Sequence, residues 1–168
     1  GDWRMKDDQG IPFGQVVYLR IIVPSPAGES LAKPLSQRDP LWTIKRLGYS
    51  GSDKTIGEWG CLMTCLTMVA NTYGHPITPA QFNDAMLRRR GFIEPNLTKW
   101  NALNNVYSDI VYEGKINARH DILERINASL AQGNPVTVQV DFTRDTPYTA
   151  NDQHWVLIVG RDGDDYRI

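Results

Sequence analysis

The chain is poor in cysteine. Two among 168 residues, Cys61 and Cys65, are too few for a scaffold built on disulfides. A bridge between positions four apart on one helix demands geometry that a regular helix rarely supplies, so both read as free thiols. No segment reaches the roughly 18 consecutive apolar residues of a membrane helix, and the opening GDWRMKDDQG has no apolar core of the kind a signal peptide carries. An excess of charge of one sign is equally missing. Lys and Arg number 18 against 19 Asp and Glu, and the longest basic run is the Arg triplet at 88–90. That balance leaves no electrostatic footprint for a nucleic acid or an anionic membrane, and the triplet reads as a solvated helix end. Histidine occurs three times, at His75, His120 and His154.

What is present suffices for a core. At 41% hydrophobic, the chain supports one domain with its own interior, or one domain with a small appendage. The segment GQVVYLRIIVP (14–24) is β-branched and apolar and reads as a strand, and SPAGESLAKP after it has linker composition. Residues 1–34 are therefore expected to be the tail of a preceding module, or an arm with its linker, and 35–168 the main domain. Residues 36–60 read as an irregular loop. From Cys61 to Tyr73 helix periodicity takes over, with Leu62, Leu66, Val69 and Tyr73 on one face and Gly74 at the C-terminal cap. A helix over 78–91 starts on the Thr78 cap with Pro79 in its first turn. A short helix is expected over 97–105 and an amphipathic one over 119–133. Residues 134–142 alternate as a strand, and 153–168 read as strand, tight turn and strand, the turn being formed by Asp162, Asp164 and Asp165. Helices before antiparallel strands predict an α+β domain in two halves.

The stretch TIGEWGCLMTCLTMVANTYG (55–74) holds both thiols. Cys61 opens a helix behind Gly57 and Gly60. There the positive end of the macrodipole favours thiolate, small residues admit a substrate backbone, and first-turn amides can hold an oxyanion. A glycine before a buried helix is also an ordinary turn. Cys65, one turn on, faces the core as a small hydrophobe. Discrimination rests on a base. His75 falls at the far end of the helix, about 20 Å away by helix rise, and reads as a capping residue. His120 begins a helix in solvent. His154 starts the apolar strand HWVLIVG behind a polar loop, where a cleft base would sit. A zinc site on Cys61, Cys65 and a histidine lacks the second half-site such modules show. Trp59, Trp100 and Trp155 are core or cleft-wall candidates, Trp59 best placed for the wall because it adjoins the thiol.

Taken together, QRDPLWTIKRLG, TIGEWGCLMTCLTMVANTYG, TPAQFNDAML, TKWNAL, NPVTVQVDF and QHWVLIVGRDGDDYRI resemble the papain-like cysteine peptidases related to the double-glycine (bacteriocin) leader peptidases, in their stand-alone bacterial form. The resemblance spans 35–168. It implies a papain-like fold, with an N-terminal helical half bearing the nucleophile helix and a C-terminal antiparallel sheet. It also implies cleavage of peptide or amide bonds through an acyl-enzyme, no cofactor or metal, a peptide or protein substrate, and an extracellular or cell-surface setting. By that resemblance Cys61 is the nucleophile, His154 its base, and Gln37 of SQRDP the oxyanion-hole amide, with Gln153 a rival. The loop from Gln37 to Cys61 is longer than the one helical turn that separates the two in compact members. The family's Asp, which orients the His, is expected beyond Ile168. The alternative is an inactive papain-like binding module within a larger multidomain protein.

Overall fold

The computed structural model describes residues 18–22, 32–116, 121–141, 153–162 and 165–168. In chain order the elements are β1 (Tyr18–Ile22), α1 (Ile56–Trp59), α2 (Cys61–Thr72), α3 (Pro79–Arg88), β2 (Phe92–Ile93), β3 (Leu97–Thr98), α4 (Ala102–Val106), β4 (Val111–Ile116), α5 (Ile122–Ala131), β5 (Val136–Asp141), β6 (Gln153–Ile158), β7 (Gly160–Asp162) and β8 (Asp165–Arg167). The mixture of helix and antiparallel sheet fits the α+β expectation. The expected order, helices first and strands last, does not hold. The main sheet runs β4-β1-β5-β6, so β1, from before the linker-like stretch, lies between β4 and β5 and pairs antiparallel with both.

Two apolar layers sandwich the β5–β6 pair. Trp155 and Leu157 of β6 join Leu62, Met63, Leu66 and Val69 of α2 and Phe82 and Met86 of α3 in one core. Val136, Val138 and Ile158 meet Ile126 of α5 in the second. Cross-strand partners share a face, and the register Thr137↔Leu157, Gln139↔Trp155 therefore turns the polar Thr137 and Gln139 toward α2, where both are buried.

One helix start and one helix end follow the cap rules. Thr78 accepts from the Gln81 N–H while the Gln81 side chain returns to Thr78, with Pro79 first in α3. Gly74 takes φ +84° just past the end of α2. Two expectations need correction. In place of a helix over 97–105, Leu97 and Thr98 pair with Phe92 and Ile93, and the helix begins at Ala102. Leu97 is exposed, so its apolar side chain marked no helix face. The supposed loop 36–60 contains α1, closed by a capping box between Thr55 and Glu58.

Candidate active site

Cys61 is positioned by two helices that abut at a single residue. Gly60 ends α1 and begins α2. Its N–H donates to Ile56 O at 2.8 Å while its own carbonyl accepts from Thr64 N–H at 2.8 Å. A Cβ at Gly60 would collide with the Ile56 carbonyl, and one at Gly57 with Thr43, whose carbonyl lies 2.9 Å from that position. The glycines before the thiol therefore let the chain pack on itself. Both are buried, which assigns them a scaffold role in place of the expected one of admitting a substrate backbone.

The loop ahead of α1 folds back onto it. Ile56 N–H donates to Lys45 O at 2.8 Å and Gly57 N–H to Thr43 O at 2.9 Å. Ser36 O accepts from the indole of buried Trp42 at 2.8 Å, and Asp39 O accepts from Thr43 N–H at 2.8 Å. Gln37 stands on this anchored turn and donates through Nε2 to Gly57 O at 2.9 Å. Despite the long connecting loop, its side chain meets the residue four positions before Cys61, about one helical turn away.

Cys61 is half-buried and Cys65 buried. The Cys61 thiolate is favoured by hydrogen bonds from the backbone N–H groups of Trp155, Leu62 and Cys61 itself, but burial outweighs them and pushes the thiol up from its ordinary value. The depressed value expected at a helix N-terminus is thus not the resting condition. Burial also pushes Cys65 up, more strongly. The Trp155 contact brings the thiol to β6, at the residue adjoining His154. His154 pairs with Val140 in the β5–β6 register. Burial first, then the positive charge of Arg38, holds its imidazole below the usual range, toward the neutral form. Sequence reasoning assigned Arg38 no role, although it follows Gln37 directly.

The remaining candidates separate from this constellation. His75 caps the far end of α2, its N–H donating to Ala70 O at 3.0 Å. Its ring stacks on Tyr107 at 4.0 Å and its Nε2 lies 2.8 Å from Asp109 Oδ2. His120 and Asp164 fall outside the described residues. Gln153, at the start of β6, accepts a hydrogen bond from Gln139 Nε2. Asp162 and Asp165 are register partners in the β7–β8 hairpin. Trp155 is core, Trp59 is 49% exposed beside the thiol helix, and Trp100 lies under the Lys115 ammonium at 4.0 Å. Among the described residues no cluster of three or more His, Cys, Asp or Glu side chains could hold a metal, and no helix is long and apolar enough to cross a membrane.

No curated protein and no solved structure matches the chain. A family model does match residues 33–168, a span that contains Gln37, Cys61 and His154 and excludes β1. The chain belongs to the Peptidase_C39 like family.

Proposed function

We propose that the chain is a cysteine peptidase of papain-like fold and mechanism, with Cys61 as nucleophile and His154 as general base. The observation that carries this reading is the packing of Cys61 against the core that holds Trp155, with the Trp155 backbone N–H near enough to favour the thiolate, which sets the helix-borne cysteine against the strand residue next to the histidine. In the resting site the thiol and the imidazole are both neutral. When a peptide carbonyl approaches, His154 takes the thiol proton and the sulfur attacks the carbonyl carbon. The oxyanion is held by first-turn amides, which lack partners within their own helix, and by Gln37. One hydrogen of the Gln37 amide is fixed by Gly57 O, and the amide carries a second. His154 returns its proton to the leaving amine. Water, deprotonated by His154, then cleaves the thioester and frees the thiol.

The family's orienting Asp stands on the strand after the His. Here β7 and β8 form a hairpin after β6, with Val159 N–H donating to Arg167 O at 2.9 Å. The substrate is a peptide or protein.

An activated ester tests the reading without knowledge of the natural substrate. With p-nitrophenyl acetate the wild type is expected to release a stoichiometric burst of nitrophenol and to carry an acetyl group on Cys61 by peptide mass mapping. Cys61→Ala abolishes the burst and His154→Ala slows it. A burst of equal size in Cys61→Ala refutes the assignment.

A further inference from the structure

Arg38 is an exposed cation on a rigid turn at the edge of the proposed site. Its neighbour Gln37 is tied to Gly57 O, its own N–H donates to Ser36 Oγ at 3.1 Å, and Ser36 O is tied to the Trp42 indole at 2.8 Å. The backbone that presents Arg38 is thus fixed to the scaffold leading into Cys61. The described ion pairs are Lys54–Asp53, His75–Asp109 and Arg125–Asp121, and the Arg38 guanidinium joins none of them. Among the described residues the guanidinium has no carboxylate partner, and its five donors in a planar fork are shaped to receive one.

We infer that Arg38 is a specificity-determining residue that binds a carboxylate of the peptide substrate next to the scissile bond, either an acidic side chain or a free C-terminus. This rests on Cys61 acting as the nucleophile. The placement also carries a mechanistic consequence. The Arg38 charge disfavours the imidazolium that His154 becomes on taking the thiol proton. A substrate carboxylate on Arg38 cancels that charge, so a correctly charged substrate lowers the cost of proton transfer as it binds.

Anionic iodoacetate and neutral iodoacetamide report on this seat directly. Their relative rates at Cys61, normalised to the same ratio for glutathione, are measured by mass mapping for the wild type, Arg38→Gln and Arg38→Lys. Expected is a preference for iodoacetate of about fivefold in the wild type, the upper range for an exposed ion pair. Arg38→Gln abolishes it, Arg38→Lys retains part of it, and raised salt weakens it. The iodoacetamide rate of each variant serves as its own reference, so a change in thiol reactivity that follows from the Arg38 charge on His154 cancels in the ratio. Protection of Cys61 from iodoacetamide by blocked tripeptides then identifies the source. An amidated peptide with a Glu side chain and an all-alanine peptide with a free carboxylate are compared with a fully neutral one. Absence of any iodoacetate preference, a preference unchanged in Arg38→Gln, or equal protection by all three peptides overturns the inference. A preference at Cys61 that depends on Arg38, in a protein without the ester burst, leaves the carboxylate seat standing and removes the peptidase reading.

Discussion

The backbone N–H groups of Trp155, Leu62 and Cys61 itself favour the Cys61 thiolate, yet burial outweighs them and pushes the thiol above its ordinary value. Position at a helix end was legible in the sequence. Burial was not, because it depends on how the loop 36–60 folds over the helix start. The same holds for His154. Its place at the mouth of a strand could be read from HWVLIVG, whereas the approach of Arg38 across more than a hundred residues of chain could not. These environments set a pH dependence. Only neutral imidazole can take the thiol proton, and burial with Arg38 keeps His154 neutral to lower pH. The acid limb of kcat/KM is therefore expected below the ordinary histidine value, and Arg38→Gln should move it upward. A wild-type limb above that value contradicts the site as described. His154→Ala is expected to lower kcat by about 10⁶-fold, the scale seen when the histidine of such a triad is removed, with folding unchanged by circular dichroism.

Among the elements, the helices with strong caps were the readable ones. α2 and α3 begin within a residue of expectation because Cys61 follows a glycine break and Thr78 heads a capping box. β4 was missed because VYEGKI carries too little apolar alternation, with Gly114 at φ +119° in its middle. α1 was missed because four residues are too few to show a period. That short helix nevertheless fixes the geometry of the thiol. Gly60→Ala drives a methyl into the Ile56 carbonyl and Gly57→Ala drives one into Thr43. Each is expected to destabilise by about 1–3 kcal/mol in urea unfolding and to reduce Cys61 acylation besides. Thr55→Ala, which removes the cap of α1, should cost about 1 kcal/mol. Unchanged urea midpoints in the glycine variants would show that α1 yields freely and does not hold Cys61.

At the scale of the whole molecule, the sheet ties the chain before the linker-like stretch to the chain after it. The apolar run 14–24 reads as a strand and Tyr18–Ile22 within it form one, but strand pairing at long separation leaves no local signal, so the place of β1 between β4 and β5 emerges only in three dimensions. Removing residues 1–31 exposes the facing edges of β4 and β5 at once. We expect residues 32–168 alone to melt at least about 3 °C lower, the shift that roughly 1 kcal/mol produces in a chain of this size, and to aggregate through those edges. An unchanged melting temperature and ester burst would place the functional boundary where the family match begins. The central claim, that Cys61 and His154 together cleave peptide bonds, is tested most directly by incubating the protein with a proteome-derived peptide library and sequencing the new termini by mass spectrometry. New termini are expected with the wild type, none with Cys61→Ala, and only a trace with His154→Ala. A library cut equally by Cys61→Ala, or left intact by the wild type, contradicts it.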